Sequence, residues 1–377
     1  MDSREINGNQ LMALMVLFLI ASAMLSNVGG DAGPNVWIVI LISTSLGIFL
    51  YLMYCRISKL NNYQGLSNIL RNTLGKFLGT FVLFSYAVFF FIRCLMVGNA
   101  LTDMAQQSLM IGADQRGVMN LFLIVIVFSS LYGFKIIGRS SEIFLAVLIG
   151  ALIPFFVTVL YTGVFKPINL VPILAHGLKG LEHDILRVFF FPFGEILVFL
   201  MFFHYIPKNQ KNDIKKKGCF GILIASFLMI AVDATTLGIL GPDLTKNFQY
   251  PFYNAMQLAG LRGLHERLDP LAGIIILLSS YIKSIVYYYA TILAFESLSV
   301  KFNFKWVLGI VTVLIYLLAP YVRLEQYKRV HLDILPLRIY PIFQLAIPLL
   351  LWLISEIKFY KREKKIKKDT MQAPIKN

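Results

Sequence analysis

Ten apolar runs, each long enough to cross a bilayer, recur along the whole chain. They fall near residues 11–28, 36–55, 77–101, 118–134, 143–163, 188–206, 218–240, 271–295, 304–321 and 339–357. A hydrocarbon core about 30 Å thick is crossed by roughly 20 helical residues. No water is available there for backbone N–H and C=O groups, so runs of this length must bond internally as helices. The fold class this predicts is an all-α polytopic membrane protein with ten transmembrane helices. Composition agrees, with 58% of residues hydrophobic and 15% charged, against about 45–50% and 25% in soluble domains.

Charge placement gives direction. With the N-terminus in the cytoplasm, inside segments hold 22 of the 35 Lys and Arg residues and outside loops hold 11. Cytoplasmic loops carry the excess of basic residues, so both termini are predicted inside. The net charge of +15 is spent on topology rather than gathered on one face, which argues against nucleic-acid binding. The basic tail from Lys358 reads as a topology anchor, with anionic lipid headgroups as its other plausible partner. Ala21-Ser22-Ala23 mimics a signal-peptide cleavage site. The head before it is a poor n-region, because Arg4 is outnumbered by Asp2 and Glu5, so the segment is read as a retained first span.

Nothing in the sequence predicts an enzyme, a cofactor or a metal site. Cys55, Cys94 and Cys219 form no CxxC pair and read as small buried hydrophobes. His176, His183, His204, His265 and His331 are scattered over different loops and ends. Ser280-Tyr281-Ile282-Lys283 matches the S-x-x-K pattern of acyl-enzymes but lies inside a span without the companion motifs. Gly75 and Gly79 are four apart at the start of the third span, a spacing that suits helix packing. The outer loops 164–187 and 241–270, punctuated by Gly and Pro, predict short helices lying on the outer face.

Ten spans divide into five plus five, and an odd number per half gives the second half the opposite sense. Such inverted repeats place a substrate site near the midplane, between discontinuous helices at matching positions. The corresponding spans are the first and the sixth. The sixth holds Pro192, Phe193, Gly194 and Glu195: a proline that removes a helix hydrogen bond, a glycine that weakens the helix, and an acid that is costly in lipid. The first has small, polar Ala21, Ser22 and Ala23 at its centre, and a break is predicted there too. On the break alone, a ligand or ion site and a proline kink with a paired acid remain open. Helical spacing puts Ser280, Lys283, Tyr287 and Thr291 on one stripe of the eighth span. A lysine so deep must face a cavity, an acid or the interface; it could be the counter-ion of Glu195, contact a ligand carboxylate, or replace a coupling sodium. Arg93 and Asp233 are the other intramembrane charges. Arg93 is read as structural, paired with an acid such as Asp103.

Four segments together carry a resemblance: DAGPNVWIVIL (31–41), INLVPILAHGLKGL (168–181), FPFGEILVFL (191–200) with the basic PKNQKNDIKKK after it, and LHERLDPLAGIIIL (264–277). In order and spacing they resemble the B subunits of endospore germinant receptors, the spore-germination permease branch of the amino acid–polyamine–organocation superfamily. The resemblance covers nearly the whole chain. It implies a LeuT-type 5+5 inverted repeat, with residues 1–163 as the first half, 164–187 as an extracytoplasmic loop, 188–357 as the second half and 358–377 as a cytoplasmic tail. It also implies a sensor in the inner membrane of the spore that binds an amino acid or other small nutrient and works with a larger A subunit and a lipoprotein C subunit. Carried over by position, the ligand pocket falls on Ala21, Ser22 and Ala23, on Ala87, on Pro192, Phe193, Gly194 and Glu195, and on Lys283 and Tyr287. Two departures stand out: relatives bend the first span with glycines where this chain has Ala21-Ser22-Ala23, and Lys283 stands where a small polar residue is usual. A proton- or cation-coupled amino acid permease that uses the same pocket and completes transport is the alternative. A scaffold with a filled pocket is a third reading, which Met24 and Phe193 have the bulk to serve.

Overall fold

The computed structural model describes residues 4–26, 28–175, 177, 179–261, 268–299, 303–329 and 334–371, and every regular element among them is helical. His176, His265, His331, Lys301 and the 264–267 part of the fourth resemblance segment lie outside the described residues. In chain order the helices are α1 (Gly8–Ser26), α2 (Val36–Leu60), α3 (Leu66–Leu74), α4 (Lys76–Ser108), α5 (Gln115–Leu131), α6 (Phe134–Thr162), α7 (Glu182–Phe190), α8 (Lys211–Leu240), α9 (Pro242–Asn247), α10 (Pro251–Leu261), α11 (Asp269–Glu296), α12 (Phe304–Arg329), α13 (Ile334–Pro341) and α14 (Ile347–Met371). Among the described residues, eight stretches are long and apolar enough to cross a membrane: those of α1, α2, α4, α6, α8, α11, α12 and the stretch from Leu337 through α14. The fourth predicted span is α5, apolar but only 17 residues long. The sixth is interrupted, as α7 stops at Phe190 and a 3₁₀ helix covers Phe193–Met201.

The first span corrects the sequence reading. No break occurs at Ala21–Ala23, because α1 runs unbroken from Gly8 to Ser26. Alanine is the best helix former and serine a tolerable one, and the only glycines near, Gly29 and Gly30, come after the helix has ended. The chain turns there through a short 3₁₀ segment, Gly30–Asn35, into α2.

α1 is apolar on every face, and a helix of that kind belongs in the middle of a bundle. From Leu14 to Met24 its side chains are almost wholly buried, packed against α6, α8 and α11. α11 is the second central helix and lies against α4, α1, α6 and α12. The outer helices turn apolar side chains outward, among them Phe128, Ile153, Leu160, Phe227 and Ile310. A belt of exposed apolar groups around a buried core is the lipid-facing surface of a multi-pass membrane protein. The two long loops carry the predicted short elements: a 3₁₀ turn at Pro167–Leu170 and α7 in the first, α9 and α10 in the second.

Two details position the site. A Cβ on Gly79 would lie 2.6 Å from the Leu70 carbonyl oxygen, so α4 packs on α3 at a distance only glycine allows. Between α13 and α14 the chain makes a π turn over Ile342–Ala346. The Ile347 N–H reaches back to Ile342, and Pro348 has no N–H to offer Gln344. The two freed carbonyls are taken by hydroxyls: Tyr86 donates to Phe343 at 2.7 Å, and Tyr54 donates to Gln344.

Candidate functional site

The break in the sixth span starts with Phe191, which is extended (φ −135°, ψ 104°). A residue before proline is pushed out of the helical region, and Pro192 cannot donate to the turn before it. The chain resumes as the 3₁₀ run, with Glu195 N–H donating to the Pro192 carbonyl at 3.1 Å. This irregular backbone sits against other protein rather than lipid, the condition for tolerating it at membrane depth. A Cβ on Gly47 would be 2.8 Å from the Cβ of Phe193, so Phe193 is turned into a gap left by α2. A Cβ on Gly194 would be 2.1 Å from Oε1 of Gln344, which brings the π turn onto the break.

Glu195 points into the bundle, where two cations meet it. Arg93 of α4 pairs with Oε1 through Nη2, and Lys283 of α11 pairs with Oε2. Their side chains are 5% or less exposed. Lys283 Nζ also donates to the Ser22 hydroxyl on α1, and Arg93 Nη1 donates to the Tyr340 hydroxyl on α13. Aromatic faces close the cluster. The Phe191 ring lies 5.1 Å from the Arg93 guanidinium carbon and 4.9 Å from Lys283 Nζ, and Phe18 lies 4.8 Å from Lys283 Nζ. Tyr287 lies 5.9 Å from the guanidinium and 5.2 Å from Phe18. Burying charge is costly unless it is paired and bonded; here the pairing gathers four helices and the break at one point.

Of the pocket residues read from the sequence, Ser22, Glu195, Lys283 and Tyr287 come together. Ala21 and Ala23 flank Ser22 on buried faces of α1. Pro192 and Gly194 shape the break. Phe193 faces α2 instead, and Ala87 is buried on α4 six residues, about 9 Å of helix, before Arg93. The Ser280–Lys283–Tyr287–Thr291 stripe is buried throughout. The expected Arg93–Asp103 pair does not form: ten residues on one helix separate them by about 15 Å, and Asp103 accepts from Gln115 Nε2 at 2.6 Å. Asp233 is buried on α8 and takes no part in the cluster's ion pairs. Sequence reasoning missed Phe18, Phe191, Tyr340 and Gln344. Only Gln344 carried a local signal, an amide inside an apolar run between two prolines.

Several buried polar atoms near the cluster have no hydrogen-bond partner: the hydroxyls of Ser280 and Ser284, Nε of Arg93, and both amide atoms of Gln344. A cavity of about 240 Å³ lies elsewhere, between α4, α5 and α12, and shares no lining residue with the cluster. With Arg93, Glu195 and Lys283 all buried, the site at the break is closed around its own ions. Among the described residues, no group of three or more His, Cys, Asp or Glu side chains is placed to hold a metal.

The sequence profile of a family described as "Spore germination protein" matches residues 5–326. The chain belongs to the spore germination protein family. Among curated relatives it is 25% identical over 375 residues to Spore germination protein KB of Bacillus subtilis (strain 168), an alignment covering 97% of this chain and 98% of that one. It is 23% identical over 263 residues to Spore germination protein A2 of the same organism, covering 68% and 69%. Solved structures of two mutants of the Eremococcus coleocola manganese transporter share its fold, each with a TM-score of 0.61 at 12% identity over 93% of this chain and 75% of theirs. That likeness speaks for fold alone.

In this spore germination family member the cluster is a set of ion pairs and hydrogen bonds that join separate elements. What it can do is hold or release: a carboxylate at a helix break is tied to α4, α11 and, through Lys283, to α1. Any group that competes for one of these bonds changes how the four elements are held.

Proposed function

We propose that this protein is the nutrient-sensing B-type subunit of a spore germinant receptor, and that it binds a small polar nutrient at the break of the sixth span. The observation that carries the reading is Glu195, placed at the break and ion-paired to Arg93 and Lys283 from two other helices. The unpartnered hydroxyls of Ser280 and Ser284 and the free amide of Gln344 support a polar guest, because unmet buried groups are costly and gain by bonding one. The full-length similarity to a B. subtilis germination protein supports the receptor role. The transporter likeness supports a LeuT-type pair of five-helix repeats with the site at their interface. On this reading the sixth span is broken where the first is continuous, and Ser22 on α1 reaches the site through Lys283.

Signalling follows from population shift. A nutrient moves the equilibrium between two conformations only by the difference in its affinity for them. A guest that exchanges bonds in the ion cluster has such a difference, and the partner A and C subunits in the inner spore membrane would read the change in helix packing. The second reading, a cation-coupled permease, is favoured by the transporter fold itself.

Nutrient-triggered germination of spores carrying Lys283→Ala tests the proposal. A raised nutrient threshold at normal protein level is expected, and an unchanged dose response removes the site. Uptake of labelled nutrient into vesicles separates the two readings, since accumulation against a gradient belongs to the permease.

A further inference from the structure

Charge is not balanced at the break. Two cations, Arg93 and Lys283, share one carboxylate, and each oxygen of Glu195 serves a different cation. Among the described residues no other acid pairs with either of them. Asp103 is taken by Gln115, and Asp233 lies outside the ion pairs. The rings of Phe18, Phe191, Tyr287 and Tyr340 face the cations, which eases their burial but adds no negative charge. One positive charge is left over in a place almost closed to water.

The donors are unfilled in a matching way. Arg93 presents Nη2 to Glu195 and Nη1 to Tyr340, while its Nε has no partner. A guanidinium binds a carboxylate best as a two-pronged fork, and here Glu195 engages Arg93 through Nη2 alone, with the Tyr287 hydroxyl beside the pair. We infer that the nutrient carries a carboxylate, that it takes the Nε–Nη2 edge of Arg93, and that Glu195 is the tethered anion it displaces. This rests on the sensor reading above and names its ligand class. With the guest in place Arg93 pairs with the ligand, Lys283 keeps Glu195, and two cations face two anions. Glu195 lets go of α4 but stays with α11, which loosens the break from one helix and not the other. Amino acids and small organic acids fit; sugars and nucleosides do not supply the missing charge.

The test uses the full-length protein in detergent, with acetate as probe and acetamide as its uncharged match. Acetate is expected to raise the thermal unfolding midpoint and acetamide to leave it. In Glu195→Gln, with the internal anion gone, acetate should act at a concentration at least tenfold lower than in the wild type. Equal responses to acetate and acetamide, or a Glu195→Gln protein no more sensitive than wild type, overturn the inference. If Glu195→Gln does not accumulate, Lys283→Gln decides: it leaves one cation with one anion and should lose the acetate response, and keeping that response overturns the inference. Spores separate this from the sensor reading. If deleting the gene changes germination by no nutrient, the sensor reading fails. If a gene-dependent nutrient works equally well as its neutral amide, or is a sugar, only the carboxylate inference fails.

Discussion

Glu195 and its two cations are unequal partners, because removing the acid strands two charges while removing one cation leaves a balanced pair. Taking one member from a buried ion pair typically costs about 3–5 kcal/mol, and the buried cluster here falls in that class. Glu195→Gln is therefore expected to destabilise the protein by about that amount, read as a lower denaturant or thermal midpoint in detergent. Lys283→Met should cost less, since Arg93 and Glu195 remain matched. The double variant, with only Arg93 unmatched, should fall between the two. Residues in one network do not add, and this ranking is the signature to look for. Equal losses for all three would mean that the three side chains do not act as a unit.

At the scale of elements, the meeting of the break with the π turn depends on one missing side chain. Gly194→Leu must push Gln344 out of the way, and with it the turn whose carbonyls hold Tyr54 and Tyr86. A nutrient concentration for half-maximal germination raised by about tenfold, roughly 1.4 kcal/mol of lost preference, is expected. Gly150→Leu serves as control, because nothing lies within 4 Å of where its Cβ would go, and its dose response should match the wild type. The elements were legible from sequence to different degrees, for physical reasons. Pro192 and Gly194 announced the sixth-span break because a missing N–H and a missing Cβ act locally. The first-span break was argued from repeat symmetry, with no breaker in Ala21-Ser22-Ala23 itself, and local propensity won. The apolar runs gave the spans but not their ends; α4 continues to Ser108 through polar residues, of which Asn99, Thr102, Asp103 and Gln106 are bonded within the protein. The ion cluster was half visible. Charges inside spans mark a functional or paired site, yet that Arg93 meets Glu195 rather than Asp103 is set by which helices pack together, and no spacing along one chain encodes it.

Across the whole molecule, a chain of contacts places the segment before α1 and the part of α14 around Lys358 on one face of the bundle. The Ile6 N–H donates to the Tyr205 carbonyl, and Arg4 lies over the Phe304 ring. Arg71 donates to the Ser297 carbonyl, and Lys358 donates to the Asn72 carbonyl at 2.6 Å. The opposite face gathers the Lys166 N–H on the Gly238 carbonyl, and the Leu174 N–H on Asn35 Oδ1. Packing thus decides which segments share a side, and the basic residues decide which side that is. We propose that the first face, which carries Lys208, Lys211, Lys215, Lys216 and Lys217 after the break and Lys358, Lys361, Arg362 and Lys364 of α14, is the cytoplasmic one, as the positive-inside rule predicts. Single cysteines in a background with Cys55, Cys94 and Cys219 changed to alanine test this in intact cells. A membrane-impermeant maleimide should label Lys166→Cys at once, and Lys361→Cys only after permeabilisation. Inverted labelling would put the tail outside and overturn the assignment. Labelling of both positions in intact cells would mean that the two faces are not on opposite sides of the membrane, and the packing described here would be wrong with it.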